Sequence, residues 1–197
     1  MKDFIRPRGR LRSLPLPARL VYSVFAAFTL VALAFSAWLG ADMVGADLSE
    51  LDSYYAGQPS AQPQVATHGA SDGPQLDLPP EADAPAASPP MPLRKLLEVT
   101  HFHLFSMPVY LLILSHLFML SRISERAKLL WIALATASVA AHMAAPWFAR
   151  SGGAGARAAY GGSGAAMMLA LLVLTLVPLW EMWAPAPGGE RPAVSGD

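Results

Sequence analysis

The sequence contains no cysteine. That excludes a disulfide framework, thiolate metal sites, an iron–sulfur cluster and a cysteine nucleophile. Charge is scarce as well: 14% of residues are Asp, Glu, Lys or Arg, against roughly 25% in a soluble domain. Basic and acidic residues cancel, so no basic excess is available to hold nucleic acid. Glycine-rich phosphate loops, nucleophile elbows and paired carboxylates are absent too. What the chain has instead is apolar surface. Hydrophobic residues make up 54% of its 197 positions, and they fall in long uncharged blocks that only a membrane can solvate.

About 20 consecutive apolar residues carry a helix across the hydrocarbon core, and four stretches supply them. Residues 20–41 hold no Asp, Glu, Lys, Arg or His; residues 99–121 and 129–149 hold histidine alone among these. The fourth stretch covers residues 158–180, and its Gly161, Gly162 and Gly164 place the firm helix at 165–183. Residues 150–164 then form a glycine-rich loop. The other segments are a basic N-terminus at 1–19, a loop at 42–98, a turn at 122–128 and a tail at 184–197. The expected fold is all-α: an integral membrane bundle of four transmembrane helices with a long disordered outer loop. No internal repeat is evident.

Basic residues set the expected orientation. Lys2, Arg6, Arg8, Arg10, Arg12 and Arg19 precede the first span, Arg122, Arg126 and Lys128 fill the short turn, and Arg191 lies in the tail. Arg94, Lys95, Arg150 and Arg157 occupy the other side. Ten against four places both termini in the cytoplasm of a bacterial inner membrane. Trp38, Trp131, Trp147, Trp180 and Trp183 fall near the span edges, where an amphipathic ring is favoured. The first span resembles a signal peptide in its basic flank, but its apolar run exceeds the 7–15 residues of a signal core. Retention as an anchor is expected.

The loop at 42–98 has nine acidic and two basic residues and nine of the eighteen prolines. Its stretch from 57 to 92 cannot bury enough apolar surface to offset its ordering entropy, which predicts an extended linker. Closer to the first span, Leu48, Leu51, Tyr54 and Tyr55 recur at helical spacing. They predict a short helix on the membrane surface or on a partner, unless this turn is the frayed end of the first helix. The tail is expected to be disordered.

Four of the five histidines lie in the second and third spans: His101, His103, His116 and His142. At about 1.5 Å of rise per residue, His103 sits roughly 6 Å inside its outer edge and His142 roughly 10 Å inside its own. The two are matched in depth on antiparallel neighbours, as bis-imidazole ligation of haem b requires. His101 is the substitute for His103. His116 lies near the cytoplasmic side, with no histidine at its level. Pro108 predicts a kink that frees the Leu104 carbonyl. A small-residue stripe at Ala133, Ala137, Ala140, Ala141 and Ala144 predicts close helix approach beside His142, which leaves little room for a porphyrin there. Met107, Met119, Met143, Met167 and Met168 add soft ligands that suit copper(I). Zinc lacks the three or four ligands it needs.

The run Thr100-His101-Phe102-His103-Leu104-Phe105, with His116 thirteen residues after His103, and the close at Trp180-Glu181-Met182-Trp183 carry a resemblance. They resemble small four-span, histidine-bearing inner-membrane proteins of proteobacteria found near respiratory cytochromes. That resemblance covers about the last hundred residues. It implies a redox neighbourhood and selects His101, His103 and His116 for testing. Without a CxxCH site, the chain is no c-type cytochrome.

The leading expectation is a structural or assembly subunit, not an enzyme, whose histidines join helices. Its partners are the lipid bilayer and a membrane protein or a second copy. The alternative is a haem-binding or redox-associated subunit with His103 and His142 as ligands. Copper handling is a lesser alternative.

Overall fold

Five helices run in chain order: α1 (Leu16–Val44), α2 (Leu51–Ala56), α3 (Leu93–Met119), α4 (Glu125–Arg150) and α5 (Ala156–Trp183). This computed structural model describes residues 11–57 and 89–185. Most of the expected linker, the N-terminus up to Arg10 and the tail from residue 186 lie outside the described residues. All of these helices but α2 are long and apolar enough to cross a membrane. The protein is an all-α, multi-pass membrane protein. Each spanning helix outruns its apolar stretch. The 27 residues of α3 reach about 40 Å at 1.5 Å per residue, matching a bilayer with its headgroups rather than the hydrocarbon alone.

The spanning helices alternate in direction, with α5 packed along α4 and touching α1 and α3. A core of Leu33, Leu114, Phe118, Ala135, Ala170, Leu171 and Leu174 joins all four. At one end Ser124 caps α4 by accepting the Ala127 N–H at 3.4 Å, and Glu125 complements the helix dipole. At that same end both carboxylate oxygens of Glu181 accept the Arg122 N–H, at 2.9 and 2.8 Å. Trp183 Nε1 donates to Ser23 Oγ at 2.9 Å. Glu181→Ala should lower stability by about 1 kcal/mol, because water can replace an exposed acceptor. Thermal unfolding in detergent checks this.

Two expectations are corrected here. Gly161, Gly162 and Gly164 lie inside α5, which starts at Ala156 and not near 165. Glycine costs about 1 kcal/mol in a helix interior, but two of these positions permit close packing. A Cβ at Gly161 would stand 2.8 Å from Leu48 Cδ1, and one at Gly164 would stand 3.1 Å from His142 Cε1. The second correction concerns α4. Ala133, Ala137, Ala140, Ala141 and Ala144 all face outward, whereas Lys128, Ala135, Ser138, Val139, Ala145 and Ala149 are the buried positions. Small residues occur on both faces, so the stripe alone did not show which face the chain covers. The helix also continues through Pro108, as α4 and α5 do through Pro146 and Pro178.

α2 closes the other end of the bundle. After α1 the chain turns at Gly45, whose φ is +77°, and at Leu48, whose φ is +61°. A non-glycine residue in this region costs about 1–2 kcal/mol. Asp47 Oδ1 holds the turn by accepting from Ser49 Oγ at 2.7 Å and Ser49 N at 3.1 Å. These bonds keep its carboxyl below the usual range, the Ser49 hydroxyl contributing most. The strained Leu48 sends its side chain against Gly161. Leu51 and Tyr55 then bury themselves with Val44, Leu96, Ala149 and Ala156. The short helix predicted from Leu48, Leu51, Tyr54 and Tyr55 therefore exists, and it rests on its own bundle. Arg157 clasps it from α5, with Nη2 2.8 Å and Nε 3.0 Å from Asp52 Oδ2.

Candidate functional site

Beneath α2, the ends of α3, α4 and α5 enclose a cavity of about 200 Å³. His103 of α3 and His142 of α4 both line it, with Met43, Met91, Met143, Tyr55 and Tyr160. The depth match on antiparallel helices is thus realised as a shared wall. Trp147 Nε1 donates to Thr100 Oγ1 at 3.0 Å and links α4 to α3 beside the cavity. Arg150 donates to the Met91 carbonyl and holds the chain entering α3.

Hydrogen bonds assign the tautomer of each imidazole. His103 Nδ1 lies 2.7 Å from the Val99 carbonyl. A carbonyl only accepts, so Nδ1–H donates and Nε2 carries the lone pair. His142 Nδ1 lies 3.1 Å from Ser163 Oγ, and the Ser163 hydroxyl proton goes to the Tyr160 carbonyl at 3.1 Å. Both contacts hold together only if His142 Nδ1–H donates. The His142 ring also packs on Tyr160, with centroids 4.8 Å apart. Pro146 lines the same cavity, and its missing N–H leaves the His142 carbonyl without an intrahelical donor.

The other two histidines are not brought to this cavity. His101 is exposed on α3, stacked on Phe105 at 5.0 Å, in an open groove with Ser106 and Tyr110. The substitute pairing of His101 with His142 therefore does not form. His116 is exposed near the opposite end of α3. Among the methionines singled out in sequence, Met143 alone reaches the cavity, while Met167 and Met168 pack against the central core. Met43, Met91, Tyr160 and Ser163 went unnoticed. Depth did not mark the two methionines: Met43 falls at the end of α1 and Met91 just before α3, outside the apolar runs that hold the histidines.

The cavity also tests the haem alternative. Sites for organic ligands of this class run to roughly 300–1,000 Å³. At about 200 Å³, a porphyrin enters between His103 and His142 only if the helices part. Zinc fares no better, since no three His, Asp or Glu side chains gather among the described residues.

Residues 45–188 match the family Aq_1264_TM, described as a transmembrane helical domain. The chain belongs to this family. The match begins one residue after α1 ends, so the family domain comprises α2 to α5 with the loop between them, and α1 stands outside it. Every cavity residue except Met43 comes from the family domain. No curated protein and no solved structure matches the chain.

The roof of the site has its own titration behaviour. Burial first, and Tyr160 second, push the Tyr55 phenol well above its usual value. A raised pKa means the folded state keeps its proton, so this stabilisation is complete below about pH 10, the unfolded value. It falls away as pH rises beyond that. Tyrosinate absorbance should show Tyr55 silent through pH 10, and Tyr55→Phe should remove the alkaline weakening of α2.

Proposed function

We propose that the chain is a non-enzymatic structural or assembly subunit of a membrane complex. Its setting is the bacterial inner membrane, with both termini in the cytoplasm. The ten-to-four division of basic residues supports this orientation. The end closed by α2 is then the outer end. The resemblance to proteins found near respiratory cytochromes supports a redox complex as the setting.

The observation that carries this reading is the outward alanine face of α4. A helix face turned to lipid presents large apolar side chains, as the outer face of α1 does with Val21, Val24, Phe28, Val31 and Phe35. Ala133, Ala137, Ala140, Ala141 and Ala144 instead form an exposed small-residue strip at bilayer depth. Lipid gains little from such a strip, whereas a helix can approach it closely. The occupant is a helix of another membrane protein. The natural absence of cysteine makes the test simple. Ala137→Cys or Ala140→Cys, labelled with a benzophenone and illuminated in native membranes, should give an adduct with a different polypeptide. Val24→Cys on α1 should not. An adduct of two copies of this chain would assign the face to a homo-oligomer, and no adduct above that of Val24→Cys would overturn the reading.

A further inference from the structure

We propose that the cavity beneath α2 is a copper(I) site, with His103 and His142 as nitrogen ligands and methionine thioethers completing the shell. The inference is independent of what packs on α4. It starts from the tautomers. Each imidazole anchors Nδ1 on a helix neighbour, His103 on the Val99 carbonyl and His142 on Ser163 Oγ, and both rings line the cavity. A neutral imidazole held through Nδ1 is the form that ligates metal.

The rest of the wall selects the ion. Met43, Met91 and Met143 bring three thioethers from α1, the α3 approach and α4 to the same cavity as the two rings. No Asp or Glu is among the residues lining it. The donor set is soft and neutral, which suits Cu(I) and disfavours magnesium, calcium and manganese. Charge points the same way. Desolvation of a buried ion rises steeply with its charge, and no carboxylate offsets it here. A monovalent ion is therefore better tolerated than Zn(II) or Cu(II).

Size agrees as well. A cavity of about 200 Å³ is small for a drug-sized ligand and ample for one ion with the movement of flexible methionine side chains. Van der Waals packing alone does not require that two histidines and three methionines share one cavity wall. Met91 lies at the end of the loop segment and Met43 at the end of α1, so α2 and its flanking turns cover the site. No redox step is required. The ion is bound and held as Cu(I).

The test uses the full chain purified in detergent and titrated anaerobically with Cu(I) from a chromophoric Cu(I) chelator. The wild type should withdraw about one equivalent, as expected of a single mononuclear site. His103→Gln and His142→Gln should each weaken binding by at least about tenfold, and His116→Gln should not. X-ray absorption of the loaded protein should show nitrogen and sulfur neighbours together. A Met43→Leu, Met91→Leu, Met143→Leu triple variant keeps the apolar volume and guards against simple misfolding. Its bound copper should lose the sulfur signal. The proposal is overturned if the wild type takes no more Cu(I) than the His103→Gln, His142→Gln double variant. It is equally overturned if the copper it binds has no sulfur neighbour.

Discussion

Leu51→Ala should release α2 from the bundle. Leu51 is 0% exposed and lies between Val44, Leu96 and Ala149 in the cluster beneath the short helix. Truncating a fully buried leucine costs about 2–5 kcal/mol. α2 has six residues, too few to persist as a helix without tertiary contacts. The Leu48 turn adds strain that docking must outweigh. The loss therefore falls on α2 rather than on the whole fold. Hydrogen exchange should show residues 48–56 losing protection while α4 and α5 keep theirs. Unchanged protection in α2 would contradict its role as a docked roof.

Gly164→Leu should have a comparably large effect at the other wall of the cavity. A Cβ alone at this position stands 3.1 Å from His142 Cε1 and 3.4 Å from its Nδ1. Three more carbons cannot fit unless the His142 ring moves off Ser163 and Tyr160 or α5 separates from α4. Overpacking of this kind costs about 1–3 kcal/mol. Gly162 provides the control, since nothing lies within 4 Å of a Cβ there. Gly162→Ala should leave the packing intact and gain up to about 1 kcal/mol from helix propensity and chain entropy. Opposite shifts in thermal unfolding by the two variants would show that close packing, not flexibility, accounts for Gly164. A loop reading of this segment predicts that neither substitution matters.

Much of the architecture was legible because the membrane imposes a strong length rule on apolar runs. The stretches at 20–41, 99–121 and 129–149 hold no Asp, Glu, Lys or Arg, and each lies inside an observed helix or ends within two residues of it. Helix ends were less legible, because α1, α3 and α5 continue beyond the hydrocarbon, where residues such as Arg19, Arg94 and Arg157 are tolerated. The α5 glycines misled for a related reason. Local propensity argues against a helix there, but the reason for them is tertiary and lies in Leu48 and His142, far away in sequence. The small-residue rule identified alanine on α4 as significant, yet it could not orient the face. Knowing that Ala135 packs with Ala170, Leu171 and Leu174 of α5 requires the partner helix to be placed first.

The histidines divide along the same line. Rise per residue brought His103 and His142 to one level, and the structure puts them in one cavity. Rise alone carried no cavity volume, so it did not weigh the space a porphyrin needs. It also omitted Met43 and Met91, which sit outside the apolar runs and reach the cavity only through the packing of the helix ends. Serine was invisible as a contributor. Ser163 matters only because its single proton is already committed to the Tyr160 carbonyl, which fixes how His142 presents its nitrogen.

The measurement that bears most directly on the proposed role is the mass of the particle extracted from native membranes with its lipid shell intact. The account predicts this chain together with at least one different polypeptide, and loss of that polypeptide on Ala137→Phe, Ala140→Phe substitution of the outward α4 face. A particle of one chain and lipid alone, unchanged by that substitution, would contradict it.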